Sequence, residues 1–473
     1  GALGAASERD AVYRQVEKLK EMGCNAIRTS HNTPSSVLLE ACNELGMMVM
    51  DETFDGWAFP KNGNSQDFST HFNQTISADN KLLGATTGDT WYKFILESNI
   101  ERDKNDPSVI IWDIGNELNF GVTDSSQYEQ YAKNMKSYIE AIDKTRPITV
   151  GDNNPNGLQN ANTQEFRNKV STVLAKNGEG LAGANYSMGS MAGIHKTHPD
   201  WKIIATESAS PSNSRGIYNT LSQYNKTGDY QCTAYDTNAV SWGNTARESW
   251  WYTIKDDFVS GEFIWTGFDY LGEPTPYSVY PVGVSSFGTI DTAGFAKDSF
   301  YLYQSQWTST PMVHLLPTNW DQWHDGEEVE VWVNTNQPSA ELFLNGESLG
   351  KKSFDEKETA YGKKYYETSE KTQDDKTWGD STNPGGYTSN GAVLDDGELN
   401  SGKLHLTWKV PYQAGTLEVK AYDKNGKVVA TDSVSTSSTP YTISAVADKT
   451  LLKADGTSLS YVECTVVDEN GNM

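Results

Sequence analysis

Between residues 7 and 270 the chain alternates helix-type and strand-type segments, and no other feature narrows its fold as much. Apolar residues recur at helical spacing from 7 to 22. Ser7 is the expected N-cap, Val12, Val16, Leu19 and Met22 share one face, and Gly23 is the stop. Further helices are predicted over 35–45, closed by Gly46, and over 91–102, 127–142 and 247–256. Short β-branched and apolar runs mark strands at 24–30, 47–53, 109–114, 147–151, 181–186, 202–206 and 262–265. Strand–helix units of this length predict the α/β class, with a parallel sheet and right-handed crossovers. A closed (β/α)8 TIM barrel needs eight strands, and this count reaches seven. The chain opens on a loop and a helix, so the first strand is the one expected to be missing.

After residue 310 the period changes from helical to alternating. Glu328-Val329-Glu330-Val331-Trp332-Val333, Ala340-Glu341-Leu342-Phe343-Leu344 and residues 404–410 read as strands, with turns at Asn345-Gly346 and Asn425-Gly426. They predict a β-sandwich of immunoglobulin size, interrupted by a polar insertion over 352–400. Residues 433–440 read as a linker, and alternation resumes over 441–473. Three domains follow: a barrel over 1–310, an immunoglobulin-like sandwich over 311–436, and a partial β domain over 437–473. The missing Met, the lack of a signal segment and the abrupt end suggest a piece of a larger protein.

The predicted strands end on polar groups. The first leads into Arg28, Ser30 and His31, and the second into Asp51-Glu52 and Asp55-Gly56-Trp57. The others lead into Asn116-Glu117, Asn185-Tyr186, Glu207-Ser208 and Trp265-Thr266-Gly267-Phe268-Asp269. In a parallel barrel these positions share the rim where catalysis is done. A carboxylate that ends an apolar strand must meet solvent or a ligand, because burying it unpaired is costly. Two such glutamates, Glu117 and Glu207, suit glycosidic cleavage, which needs one protonated and one ionised carboxyl. Asn116 is an amide placed to bond a sugar hydroxyl, and Tyr186 and Arg28 can donate to Glu207 and keep its pKa low.

Composition is compatible with a sugar and argues against several other partners. The 14 Trp and 24 Tyr supply flat faces for pyranose rings as well as core volume. A net charge of −25 argues against nucleic acid, anionic membranes and polyanionic substrates. No run of 18 apolar residues is present, so no membrane insertion is expected. Cys24, Cys42, Cys232 and Cys464 show no metal-ligand spacing, and Cys24 and Cys42 are expected to be buried thiols. His195 and His198 offer only two ligands, and no glycine-rich phosphate loop follows a strand. No cofactor is expected, with Mg²⁺ or Ca²⁺ on carboxylates left open.

Gly23-Cys24-Asn25-Ala26-Ile27-Arg28-Thr29-Ser30-His31-Asn32, then Met50-Asp51-Glu52 and Ile114-Gly115-Asn116-Glu117, resemble the catalytic barrel of glycoside hydrolase family 2. Residues 1–310 are most similar to its bacterial β-galactosidases, and 310–435 to a C-terminal immunoglobulin-like domain of that branch. The resemblance implies a retaining mechanism with Glu117 as acid/base and Glu207 as nucleophile. It implies that Arg28, His31, Asn116, Tyr186 and Trp265 line the sugar site. The family's N-terminal jelly-roll and immunoglobulin-like domains are absent from this stretch, so the missing part of the same protein is an expected partner.

The β-glucuronidases of the family use an Asn-x-Lys element after the last barrel strand to hold a carboxylate. Residues 267–298 instead carry Asp269 and Glu273, with Lys297 as the only lysine, which favours a neutral hexose such as galactose. Asp55, Trp57 and Asp269 complete the expected substrate contacts, Asp269 having a purely structural alternative. The expected function is exo-cleavage of terminal β-galactosyl residues from an oligosaccharide or glycan. A β-glucuronidase or another β-glycosidase, and a non-catalytic sugar-binding or adhesin fragment, are the alternatives. Secretion or surface display is the expected location, with the cytoplasm as alternative.

Overall fold

The computed structural model describes residues 6–118, 125–161, 166–175, 179–218, 230–359, 362–368, 370 and 404–473. The chain divides into two compact units, residues 24–208 with 256–264, and residues 1–23 with 209–255 and 265–473.

The first unit holds a nearly closed parallel barrel of seven strands in chain order. They are β1 (Ala26–Arg28), β2 (Met48–Glu52), β3 (Val109–Asn116), β4 (Ile148–Asp152), β5 (Ala182–Asn185), β6 (Ile203–Ala209) and β7 (Val259–Trp265). These are the seven runs expected, and no eighth parallel strand joins the sheet among the described residues. Helices cover parallel strands on one face and side chains fill the other, so such strands are buried on both. Accordingly β3 is buried over nearly its whole length, through Val109, Ile111, Trp112 and Ile114. Met50, Ile111 and Ile204 form a cluster with Ile110, Leu181 and Phe263. Between β1 and β2 the helix Ser36–Leu45 starts where the Ser35 hydroxyl accepts from the Leu38 N–H, and it stops at Gly46, as expected.

The second unit contains the helices Arg9–Met22, Ala246–Lys255 and Asp298–Trp307 and a short hairpin of β8 (Tyr270–Leu271) and β9 (Val284–Ser285). The first helix corrects one expectation. Its N-cap is Glu8, whose extended backbone precedes Arg9 and whose carbonyl takes the Ala11 and Val12 N–H groups, so Ser7 lies one residue too early to cap it.

Two antiparallel sheets follow. One is β10 (Val313–Leu316), β11 (Glu328–Thr335) and β16 (Leu406–Pro411). The other runs β13 (Glu347–Ser353), β12 (Ser339–Leu344), β17 (Thr416–Tyr422) and β18 (Val428–Ser435). They share one apolar core that includes Val329, Val331, Val333, Leu342, Leu406, Trp408, Leu417 and Val419. The polar insertion is not wholly irregular. β14 (Asp355–Glu358) and β15 (Lys364–Glu367) pair as a hairpin, and residues 371–403 lie outside the described residues. At the end of the chain β19 (Thr442–Ala447) and β20 (Val462–Val467) form a two-stranded sheet. None of the four cysteines forms a disulfide, and Cys42 is buried and Cys24 half-buried. No helix among the described residues is long and apolar enough to cross a membrane.

Candidate active site

The barrel strands continue their hydrogen bonding past their last residues, and this positions the two glutamates. Glu117 follows β3 in a left-handed conformation, φ 49°, while its N–H donates to the Gly151 carbonyl on β4 at 2.7 Å. Tyr186 follows β5 with φ 48°, and its N–H donates to the Glu207 carbonyl on β6 at 2.8 Å. A non-glycine residue held in this region costs on the order of 1–3 kcal/mol and persists where its surroundings over-determine it. Here the ladder bonds impose it.

Arg28 is the hub. From the end of β1 its Nη1 lies 2.7 Å from Glu207 Oε1, its Nε 2.7 Å from Asp113 Oδ2, and its Nη2 2.9 Å from Glu52 Oε2. Nη2 also donates to Asn116 Oδ1 at 3.2 Å. Burial works against the guanidinium charge, but Glu52, Asp113 and Glu207 together hold its pKa above the ordinary value. His31 spans the same acids, with Nδ1 bonded to Glu52 Oε1 at 2.9 Å and Nε2 3.7 Å from Glu207 Oε1. Burial pulls the imidazole down, yet the bond to Glu52 and the neighbouring carboxylates leave it raised. The Glu207 carboxylate therefore sits against one full and one partial positive charge.

Glu117 stands in a different setting. Burial, then repulsion from Glu207, raises its carboxyl above the usual range, against a smaller opposing pull from Lys61. Asn185 holds this side together. Its Oδ1 accepts from Thr206 at 2.6 Å, and its Nδ2 donates to Asn116 Oδ1 at 2.8 Å and to Glu117 Oε1 at 3.4 Å. Asn116 Nδ2 in turn donates to Asp55 Oδ1 at 3.4 Å, and Asp55 Oδ1 is ion-paired to Lys61 Nζ.

The structure thus gathers Arg28, His31, Asp55, Asn116, Glu117 and Glu207 into one connected set. Trp57 is corrected. It is only 1% exposed, stacks on Tyr128 and Phe72, and donates from Nε1 to the Ile114 carbonyl, so its faces are spent on the core and none is offered to a sugar. Gly115 has no room for a side chain because of it, since a Cβ there would lie 2.6 Å from Trp57 Nε1. Tyr186 reaches Glu207 through its backbone N–H.

Trp265 and Asp269 belong to the second unit. Trp265 donates from Nε1 to the Tyr270 hydroxyl at 3.3 Å, and that hydroxyl donates to Glu273. Asp269 Oδ1 takes both Lys297 Nζ and the Gly288 N–H at 2.8 Å, which is the structural alternative for this residue. Lys297 also balances the charge on which the argument against a uronate partly rested.

Asp113 and Lys61 were missing from the expected site, and Glu52 and Asn185 were expected on the rim without a role. Asp113 carried a signal, as a carboxylate in the middle of an apolar strand. Lys61 carried none, because only the loop's path brings it back to Asp55. His31, Glu52 and Asp55 each place one possible metal-binding atom within 4.8 Å of the others. His31 is already bonded to Glu52 and Asp55 paired with Lys61, so an ion there would compete with both contacts.

Residues 2–289 match the family described as glycosyl hydrolases family 2, TIM barrel domain. The chain belongs to that family. Residues 326–370 and 374–430 match a domain of unknown function, DUF4982. Among curated relatives, the β-galactosidase BoGH2A of Bacteroides ovatus is 34% identical over the whole of this chain and 51% of its own length. A β-glucuronidase of Bacteroides fragilis is 25% identical over 72% of this chain and 44% of its own. The crystal structure of a β-glycosidase from Bacteroides vulgatus superposes with a TM-score of 0.74 at 30% identity, covering all of this chain and 53% of that one. The family 2 chain described here thus spans about half the length of these relatives.

Proposed function

We propose that the chain carries the catalytic centre of a retaining, exo-acting β-galactosidase that works with carboxylates alone. The observation that supports this reading is the contrast between the two glutamates. Glu117 has its carboxyl raised by burial and by Glu207, which suits an acid that must hold its proton. Glu207 faces Arg28 at 2.7 Å and His31 at 3.7 Å, which suits a carboxylate that must attack as an anion. In the first step Glu117 protonates the leaving oxygen while Glu207 bonds to the anomeric carbon. In the second, Glu117 takes a proton from water, which displaces Glu207 and releases the sugar.

The galactosyl preference rests on the similarity to BoGH2A and on the surplus of carboxylates around the site. A β-glucuronidase is the second reading, favoured by the Lys297–Asp269 pair, which removes one of the two charges set against a uronate. Hydrolysis of para-nitrophenyl β-galactoside and of the matching β-glucuronide separates them. Release from the galactoside alone is expected. Release from the glucuronide alone would overturn the galactosyl assignment, and cleavage of neither with retained galactose binding would support a non-catalytic sugar-binding role.

A further inference from the structure

The pair Asp55–Lys61 is not used by the chemistry above, although it stands beside Glu117. Both residues come from the segment between β2 and the helix Ser69–Phe72. That segment is tied down at two points. The Asp55 carbonyl accepts from the Asn116 N–H at 2.7 Å, and the Lys61 N–H donates to Asp67 Oδ2 at 2.8 Å. Asp55 Oδ1 then joins the Lys61 ammonium to the Asn116 amide, one residue from Glu117. The Asp55 side chain is 42% exposed and that of Lys61 16%, whereas Arg28, which serves Glu207, is 3% exposed. At the acid, then, stands a cation less enclosed than Arg28, held by a carboxylate whose side chain solvent reaches.

The leaving oxygen departs from the side of the acid. The Asp55–Lys61 pair stands beside Glu117 and reaches solvent through Asp55, which places it on the side where the leaving group sits. We infer that Lys61, oriented by Asp55, is a specificity-determining donor of the leaving-group subsite and that it binds hydroxyls of a second sugar. The inference rests on the glycosidase reading above. The class of ligand follows from charge and valence. An ammonium has three donors, and Asp55 is its one acceptor among the described residues. The pair is charge-balanced, so an anionic group gains little and a neutral hydroxyl gains a charge-assisted bond. The field of Lys61 at Glu117 is consistent with this position. The substrate class is a β-linked di- or oligosaccharide, not a simple alkyl or aryl glycoside.

The test compares lactose with para-nitrophenyl β-galactoside on the full chain and on the variants Lys61→Met and Lys61→Arg. Lys61→Met is expected to lower kcat/KM on the disaccharide about ten- to a hundredfold more than on the aryl glycoside, the worth of one hydrogen bond to a charged donor, with most of the loss in KM. Lys61→Arg, which keeps a cation on Asp55, is expected to regain most of it. Equal losses on both substrates, or no loss on either, would overturn the assignment. If the unaltered chain cleaves glucuronides and not galactosides, the galactosyl reading falls alone, and the same comparison on aryl and disaccharide glucuronides still decides Lys61.

Discussion

Arg28 approaches Glu207 at 2.7 Å with one nitrogen and Asp113 at the same distance with another, so the residue expected to attack the sugar is wired to a carboxylate buried inside β3. Glu52 takes a third nitrogen. One planar fork satisfies three acids, which a lysine cannot do. Arg28→Lys is expected to lower kcat/KM on the order of a hundredfold or more, because Glu207 loses its alignment. Lysine keeps the charge but not the fork that reaches all three acids, so a loss of stability readable in denaturant unfolding is expected as well. A folded variant with unchanged kinetics would contradict this account.

Glu117 gives a pH signature. Its raised carboxyl must be protonated to donate, so kcat/KM should fall on the alkaline side through a pKa above the ordinary glutamate value. Glu207→Gln removes the charge that helps raise it. That variant should lose turnover, and its Glu117 should titrate lower when followed by carbon-13 NMR. An unmoved Glu117 would break the proposed coupling.

Asp51 links stability to pH in the unusual direction for a carboxylate. Burial pushes it up to about 8, and neighbouring Asp103 adds to the rise although Asn99 opposes it. The folded state therefore holds a proton that the unfolded chain releases near pH 4. The stabilisation is complete below that value and is lost as pH rises toward 8. Asp51→Asn should flatten this slope, raising the melting temperature more at pH 7.5 than at pH 5. Equal shifts at both pH values would refute the linkage.

Trp57 should report on packing and not on sugar binding. Trp57→Ala is expected to cost about 3–5 kcal/mol, as deletion of a buried indole does. Trp57→Phe should leave KM for galactosides within about twofold. A large rise in KM in that variant would return Trp57 to the binding site.

Gly151 lies under the site. A Cβ there would meet Asn185 Oδ1 at 2.9 Å and Arg28 Nη2 and Asn116 Oδ1 at 3.0 Å. Gly151→Ala should therefore cut kcat tenfold or more, by displacing that network, while the melting temperature falls by only a few degrees. Intact turnover would show that the network tolerates the shift.

The parts of the fold that recur were legible in sequence, and the parts that depend on distant partners were not. β3 and β6 announce themselves by apolar runs ending in glutamate, and Gly46 closes its helix as its position implies. The helix Phe166–Ala175 escaped because its stretch is short and mixed in polarity. Trp57 misled because an aromatic after a strand end reads the same whether it turns to the rim or the core, and only Phe72 and Tyr128 decide which. Asn185 and Lys61 could not be assigned from spacing, because their roles come from Asn116 and Asp55, far away in sequence or around a loop.

Glu117 and Tyr186 each turn left-handed while donating to the neighbouring strand. Glu117 and Glu207, the proposed acid and nucleophile, are thereby anchored by backbone that belongs to the sheet, whereas Lys61 lies on the loop between β2 and the helix Ser69–Phe72. If Lys61 contacts the leaving group as proposed, a change in that loop would alter the leaving group accepted while the sheet-borne backbone of Glu117 and Glu207 stays in place.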